Sequence, residues 1–207
     1  MGKQKKNPRV LLTGATGYIG APLRSELLKQ GYEVVEVSRS GAADGRRSSD
    51  THDKRRNSDT ELLQLDLTDS ETSRRKLAEL APCSVIIHAA SHTALKGGAG
   101  PVNEAMLSNI VWAAERWQAR LIQMGTVAIY GESGRDEPIA VGDPLRPASA
   151  YGRSKQRCEE LIQASSLSDW RILRLAPVFS PDRMRNAAVR VYLPGTRLRL
   201  RVLPPED

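Results

Sequence analysis

The chain has 207 residues, of which 40% are hydrophobic and 4% aromatic, so it can bury one sizeable core. No apolar run approaches the roughly 18 residues that cross a bilayer, and the short apolar run after the basic N-terminus does not predict a signal peptide. The net charge of +7 suits a phosphate-bearing ligand, and without a recognition motif it does not indicate specific nucleic-acid binding. Two cysteines are too few for a disulfide framework, so we expect a cytoplasmic protein that does not bind membranes.

Strand and helix patterns alternate along most of the chain. Apolar runs predict strands at 9–13, 33–38, 62–66, 83–88, 120–124 and 170–175, with a further strand at 198–203. Helical periodicity predicts helices at 18–30, 70–80, 106–117 and 151–164. The run at 83–88 is typical of a strand buried on both faces of a parallel sheet. This alternation predicts an α/β fold built on a doubly wound parallel sheet with right-handed crossovers.

A glycine-rich turn, with Gly14, Gly17 and Gly20, joins the first predicted strand to the first helix. Such a turn lets backbone N–H groups approach a pyrophosphate, while the N-terminus of the next helix faces its negative charge. By itself this pattern is only a weak indication of a dinucleotide site.

A second pattern places Tyr151 four residues before Lys155, so both side chains lie on one face of a predicted helix. Free tyrosine titrates near 10, so a phenolate useful at about pH 7 requires a pKa shift of about 3, or roughly 4 kcal/mol. The lysine charge can lower the pKa of the phenol, which could then exchange a proton with a substrate hydroxyl or carbonyl. The alternative is a solvated tyrosine and lysine on a helix surface.

Together and in this order, the two patterns resemble the short-chain dehydrogenase/reductase superfamily, and within it the extended type, the NAD(P)-dependent epimerases and dehydratases. The resemblance runs from about residue 10 to 181. It implies a Rossmann fold and hydride transfer at a hydroxyl or carbonyl carbon, with a sugar nucleotide as the favoured substrate class. The implied catalytic set is Asn103, Thr126, Tyr151 and Lys155, in which Asn103 orders the active site and Thr126 binds the reacting oxygen.

The resemblance also implies which residues hold the cofactor. Asp66 would hold the adenine, Lys155 the ribose hydroxyls, and the segment that starts at His88 would lie along the cofactor. The full set comes from the glycine turn and from the ends of later strands: Gly14, Thr16, Gly17, Tyr18, Ile19, Gly20, Ser38, Arg39, Asp66, Leu67, His88, Ala89, Ala90, Lys155, Pro177 and Val178.

The end of the second strand favours NADP over NAD. NAD enzymes place an acid there for the ribose 2′-hydroxyl, whereas an arginine accommodates a 2′-phosphate. In this chain Ser38 and Arg39 occupy that end, and Glu36 lies mid-strand, where it should not reach the ribose. The alternative is that Arg39 is the first charge of a basic loop.

We expect an NAD(P)-binding Rossmann domain over 1–180, with a mobile basic loop at 39–60 that has too few apolar residues to pack. Residues 181–207 would be a remnant or the start of a substrate-binding lobe, so the C-terminal lobe is expected to be truncated. Pro177, Ser180 and Gly125 depart from the family pattern, where asparagine, glycine and often serine occur. The resemblance further implies a homodimer through the helices at 106–117 and 151–164.

We expect no metal site, because His88 ends a strand and so does not share a helix face with His92. Two further functions stay open beside the enzyme: a regulatory or scaffold protein that binds NADP(H) without turnover, and a fragment that binds cofactor but lacks a substrate pocket.

Overall fold

The computed structural model describes residues 8–39, 60–92, 99–131 and 138–178. Only Arg39 and Thr60, the two ends of the predicted basic loop, belong to these residues, and the strand predicted at 198–203 lies outside them. The chain divides into a unit over Met1–Ala176 and a second unit over Pro177–Asp207, and every element below lies in the first.

The described residues form six strands, four α-helices and a short 3₁₀ turn. The strands are β1 (Arg9–Thr13), β2 (Glu33–Ser38), β3 (Thr60–Gln64), β4 (Val85–His88), β5 (Arg120–Thr126) and β6 (Trp170–Leu175). The helices are α1 (Gly20–Lys29), α2 (Ser70–Glu79), α3 (Ala99–Trp117) and α4 (Ala150–Gln163), and the 3₁₀ turn is Val127–Tyr130. The strands make one parallel sheet in the order β3-β2-β1-β4-β5-β6, which confirms the predicted doubly wound α/β fold.

The strand order reverses at β1, which lies between β2 and β4. In an open parallel sheet this reversal leaves a crevice outside the carboxyl ends of the two central strands, where ligands bind. The register pairs Thr13, the last residue of β1, with His88, the last residue of β4. The glycine turn and the segment after β4 therefore meet at that crevice.

Helices cover the sheet on both faces because successive side chains of a strand point to opposite sides. Val10 and Leu12 face α1, whose Leu23 and Leu27 pack against them. The opposite face, which includes Leu11, packs against α2, α3 and α4. The core residues that these three helices contribute are Leu77, Leu107, Ile110, Val111, Ala113, Ala114, Cys158 and Ile162.

Five elements have a boundary that differs from the sequence prediction by two residues or more. Strand β4 begins two residues later than predicted and β5 ends two residues later; the other three are α1, β3 and α3. Helix α1 begins at Gly20 rather than at 18, because the turn closed by the Gly17 N–H on the Gly14 carbonyl (2.9 Å) precedes it. Strand β3 begins two residues earlier than predicted, since it is an edge strand whose exposed side chains give a weak apolar signal. Helix α3 begins at Ala99, because its first turn tolerates Pro101.

The glycine turn depends on two positions without a side chain. Gly14 has φ +71°, and a Cβ atom there would lie 2.7 Å from the Ala90 nitrogen. A Cβ atom on Gly20 would lie 2.0 Å from the Gly14 carbonyl oxygen. Both distances are far below van der Waals contact, so the backbone of the turn, the start of α1 and the segment after β4 are packed directly on one another.

We predict that Gly20→Ala lowers the free energy of unfolding by about 2 kcal/mol or more, because the added methyl group forces the turn away from β4. Gly142→Ala is the matched control, since a Cβ atom there meets nothing within 4 Å, and we expect a change of at most about 0.5 kcal/mol. Urea unfolding of the two variants measures both values. Equal stability of both variants would contradict the close contact.

Candidate active site

The predicted site residues lie at the carboxyl edge of the sheet, where every strand of a parallel sheet ends on the same side. Gly14 follows β1, Ser38 ends β2, Asp66 lies just beyond β3, His88 ends β4 and Thr126 ends β5. The structure thus brings together residues that are far apart in sequence. Pro177 and Val178 belong to the second unit, so their assignment stays a prediction.

Helix α4 brings Tyr151 and Lys155 to the end of β5. Lys155 is 4% exposed, and its Nζ donates to the Met124 carbonyl oxygen at 3.3 Å. Tyr151 is 36% exposed, and the centre of its ring lies 6.0 Å from the Lys155 Nζ. The Thr126 side chain lies near enough to the Tyr151 phenol to lower its pKa. Thr126, Tyr151 and Lys155 therefore form one cluster at the carboxyl edge.

The start of α4 is fixed against the 3₁₀ turn. The Ser149 hydroxyl caps the helix by accepting from the Gly152 N–H at 3.0 Å. A Cβ atom on Gly152 would lie 2.7 Å from the Ala128 carbonyl oxygen, so the two backbones are in direct contact. The first turn of α4, which carries Tyr151, consequently has little freedom to move.

Burial is the largest cause of the pKa shifts of Tyr151 and Lys155. Burial raises the pKa of Tyr151, and the nearby Thr126 hydroxyl opposes that shift. Burial lowers the pKa of Lys155. The pKa of the phenol is therefore not lowered in this geometry, in which the Lys155 ammonium group donates to the Met124 carbonyl.

Asn103, in α3, is 3% exposed and joins three parts of the chain. Its Oδ1 accepts from the His92 N–H at 2.7 Å, and its Nδ2 donates to the His92 carbonyl at 3.1 Å. The same Nδ2 donates to the hydroxyl of Ser154, the neighbour of Lys155, at 3.3 Å. Asn103 therefore holds the segment after β4 against α3 and α4.

Thr13 and His88 form a buried pair that the sequence analysis did not include as a pair. The Thr13 hydroxyl oxygen accepts from the Ala90 N–H at 3.1 Å and lies 2.7 Å from the Nδ1 of His88. The Thr13 hydroxyl and Nδ1 share one hydrogen bond, whose donor is set by the tautomer of His88. Burial, and then the charge of Lys155, lowers the pKa of His88 to about 3. The only sequence signal was the position of both residues at strand ends.

The ends of β2 and β3 form a second part of the edge. The Leu65 N–H donates to the Ser38 carbonyl at 2.8 Å, and the Gln64 side chain donates to the Arg39 carbonyl at 3.3 Å. The Asp66 Oδ1 accepts from the N–H and hydroxyl of Thr68 at 2.9 and 2.7 Å. These bonds lower the pKa of Asp66, and the nearby Arg39 lowers it further.

Glu36, the acid nearer the carboxyl end of β2, already has an ion-pair partner. It is buried, and its carboxylate forms an ion pair with Arg24 of α1. Arg24 belongs to α1, which packs beside the strand. The exposed arginine that directly follows β2 is Arg39.

Two classes of feature do not occur in the described part of the chain. Within residues 8–39, 60–92, 99–131 and 138–178, no three or more His, Cys, Asp or Glu side chains are grouped so that they could hold a metal ion. Over the same residues, no helix is both long enough and apolar enough to cross a membrane.

The profile of the NAD dependent epimerase/dehydratase family matches residues 10–199. The chain belongs to this family. The resemblance stated from the glycine turn and from Tyr151 and Lys155 is thereby confirmed.

Curated relatives cover the chain well but are longer than it. The spore coat polysaccharide biosynthesis protein SpsK of Bacillus subtilis is 24% identical over 94% of this chain and 62% of its own length. A dTDP-4-dehydrorhamnose reductase of Mycolicibacterium smegmatis is 27% identical over 83% of this chain and 46% of its own. The chain thus spans from about half to three fifths of the length of these two relatives.

Solved structures agree with the fold. The Bordetella bronchiseptica enzyme WbmG, in complex with NAD and UDP, is 24% identical with a TM-score of 0.70, over 84% of this chain and 55% of that one. The UDP-glucose 4-epimerase of Thermus thermophilus, in complex with NAD, is 29% identical with a TM-score of 0.65, over 80% of this chain and 54% of that one.

We predict that His88 makes stability fall with acid. Because its pKa is about 3 when folded and 6.5 in the unfolded reference, the unfolded state binds the extra proton. Stability is therefore full above about pH 6.5 and is lost as the pH falls toward 3. Between about pH 7 and pH 5 this group alone removes about 2 kcal/mol.

Urea unfolding at both pH values, on the unaltered chain and on His88→Gln, measures this contribution. Because the variant keeps every other titrating group, the difference between the two pH dependences isolates His88. Identical pH dependences would rule out a buried neutral histidine.

Proposed function

We propose that this chain is the cofactor-binding part of an NAD(P)-dependent enzyme that acts at a hydroxyl or carbonyl carbon of a sugar nucleotide or a similar small molecule. The observation that carries the proposal is the convergence of Thr126, Tyr151 and Lys155 at the carboxyl edge of the sheet, beside the glycine turn. Family membership supports it, as do the names of relatives, which include a dTDP-4-dehydrorhamnose reductase and a UDP-glucose 4-epimerase.

The backbone at the crevice suits a dinucleotide. Gly14 and Gly20 let the turn pack backbone on backbone against the start of α1 and the segment after β4, and the first turn of α1 contains no acidic residue that would compete with a pyrophosphate. We propose that Gly14, Gly17 and the N-terminus of α1 bind the pyrophosphate. Ala89 and Ala90 would line the cofactor, and Lys155 would bind its ribose hydroxyls. When bound, the nicotinamide ring supplies the hydride acceptor or donor.

The proton would move through Tyr151. A partly desolvated phenol with a raised pKa stays protonated at neutral pH, so it is suited to donate a proton to a substrate carbonyl oxygen. Thr126, whose side chain lies near this phenol, would hold the same substrate oxygen in place. Proton removal from a substrate hydroxyl requires the phenolate, which an additional positive charge near Tyr151 would favour. Lys155 supplies one such charge, and an oxidised nicotinamide supplies a second.

We propose NADP as the preferred cofactor, with NAD less favoured. Arg39 is exposed at the end of β2, where a 2′-phosphate would lie. Glu36, the acid nearer that end, is paired with Arg24. Asp66, whose Oδ1 is fixed by Thr68, would hold the adenine. The solved relatives WbmG and UDP-glucose 4-epimerase were found with NAD, so this preference is a property to be tested on this chain.

We also propose a domain division at about residue 180, a homodimer through α3 and α4, and a cytoplasmic location. A regulatory protein that binds NADP(H) without turnover is the other function that the sequence left open. The first variant below distinguishes the two.

We predict that Tyr151→Phe lowers turnover at least about 100-fold, because it removes the acid–base group, while NADPH affinity stays unchanged. Nicotinamide absorbance on a panel of sugar nucleotides measures turnover, and nicotinamide fluorescence measures affinity. Tyr32→Phe is the matched control, since Tyr32 directly precedes β2 and lies at the amino edge of the sheet. Unchanged turnover in Tyr151→Phe would contradict the catalytic role, and NADPH binding without any turnover would favour the regulatory protein.

We predict that Arg39→Ala raises the Kd of NADPH about tenfold, because one charged hydrogen bond to the 2′-phosphate is lost, and leaves the Kd of NADH nearly unchanged. Arg75→Ala removes another exposed arginine, from α2, and serves as the control. Fluorescence titrations of the unaltered chain and of both variants with each cofactor give the six dissociation constants. An equal loss of affinity for NADPH and NADH would exclude Arg39 as the residue that selects the cofactor.

A further inference from the structure

Helix α4 carries a third polar residue on the face of Tyr151 and Lys155. Glu159 lies four residues beyond Lys155 and is 1% exposed. Its partner is Arg174 of β6, whose Nε lies 3.2 Å from both carboxylate oxygens and whose Nη2 donates to Oε2 at 2.8 Å. A buried carboxylate without such donors would be strongly destabilising. The pair is therefore a fixed, bidentate connection between α4 and the sheet.

The remaining donors of Arg174 reach two further parts of the chain. Its Nη1 donates to the Tyr130 hydroxyl and to the Val141 carbonyl oxygen, the latter at 2.9 Å. The Tyr130 hydroxyl in turn donates to the same Val141 carbonyl at 3.1 Å. The guanidinium carbon also lies 5.1 Å from the centre of the Tyr130 ring. One arginine thus joins β6, α4, the 3₁₀ turn and the segment that leads into α4.

This network lies next to the proposed catalytic cluster. Arg174 pairs in register with Gly125, the neighbour of Thr126. A Cβ atom on Gly125 would lie 3.3 Å from Oε1 of Glu159, so the carboxylate sits directly over the backbone that leads to Thr126. Thr126 also caps the 3₁₀ turn that carries Tyr130, by accepting from the Ala128 N–H at 3.2 Å. The ion pair therefore contacts both elements that carry catalytic side chains.

We propose that Glu159 and Arg174 are positioning residues that set α4 against the end of β5 and so hold Tyr151 and Lys155 in place relative to Thr126. The proposal rests on the proposed function, since it assigns a task to residues that serve the same cluster. Apolar contacts from Cys158 and Ile162 hold α4 against the core, but such contacts have no fixed direction. A bidentate guanidinium–carboxylate pair does have one.

Stability alone does not account for such a pair. Apolar residues of similar volume often replace a buried ion pair without loss of stability, whereas removal of one partner leaves a buried charge. A double replacement therefore separates positioning from folding. Glu159→Leu with Arg174→Met removes both charges and keeps apolar volume in their place. Glu159→Gln keeps the shape of the side chain and serves as a second, milder variant.

The test measures the pKa of Tyr151 by NMR of chains labelled with ¹³C at the tyrosine Cζ, with Tyr151→Phe to assign the signal. This measurement needs neither substrate nor cofactor. In the double variant we expect the pKa of Tyr151 to rise by about 0.5 to 1, because the phenol moves away from the Thr126 hydroxyl that lowers its pKa. We expect kcat, where a substrate is found, to fall about tenfold or more through misplacement of the acid. Glu159→Gln should move both quantities in the same direction by less.

The control is the ion pair at the amino edge of the sheet between Arg120, the first residue of β5, and Asp169, which directly precedes β6 (2.8 Å). Arg120→Met with Asp169→Leu should leave the pKa of Tyr151 unchanged. The proposal is overturned if the double variant at Glu159 and Arg174 unfolds cooperatively yet shows the unaltered pKa for Tyr151. If that variant does not fold, the pKa in Glu159→Gln decides instead. A failure of Tyr151→Phe to affect turnover would refute the proposed function and leave this measurement of positioning valid.

Discussion

The site depends on the contact between backbones at the point where the strand order reverses. Gly20 lies against the carbonyl oxygen of Gly14, and Gly14 lies against the backbone of Ala89 and Ala90. No side chain fits between these three segments, so β1, α1 and the end of β4 approach as closely as chains can. Every other feature of the edge is placed relative to this contact: the lysine and tyrosine of α4, the threonine of β5 and the arginine of β2.

The polar residues of the interior are concentrated at one end of the sheet. On the face that packs against α2, α3 and α4, the middle of each central strand is apolar, as at Leu11, Ile86 and Leu121. Two residues further along the same face, these strands instead carry Thr13, His88 and Gln123, which are all buried and lie level with one another in the register of the sheet. A polar interior is costly unless its groups are paired. These polar side chains lie toward the edge where ligands bind in this fold. Their position is consistent with a role in function rather than in packing.

The sequence predicted the bounds of three of the six strands. Strands β1, β2 and β6 have the predicted bounds because their apolar runs are continuous or alternate, and this holds for β6 although it lies at an edge of the sheet. Strand β3 was misplaced by two residues, since exposure at the sheet edge weakens the signal that burial creates. The site residues that follow strand ends could be found from motif spacing, because a parallel sheet collects all such ends on one side.

Pairings between residues that are distant along the chain could not be predicted from the sequence. Thr13 and His88 are 75 positions apart, and Glu159 meets Arg174 only through the packing of α4 on β5 and β6. The pKa of Tyr151 was misjudged for a related reason: spacing reveals that Lys155 is near, but not how deeply either group is buried. Register and burial are tertiary properties, so a local pattern cannot supply them.

The glycine contact also has a consequence for how the chain folds. The Ala90 N–H that completes the crevice meets the Thr13 hydroxyl across 77 positions of sequence. Closing so long a loop is slow and carries an entropic cost before the contact forms. The cofactor cradle is therefore incomplete until β4 has docked on β1, and local folding of β1 and α1 does not create it. A ligand bound there stabilises the long-range assembly of the sheet as much as the turn it touches.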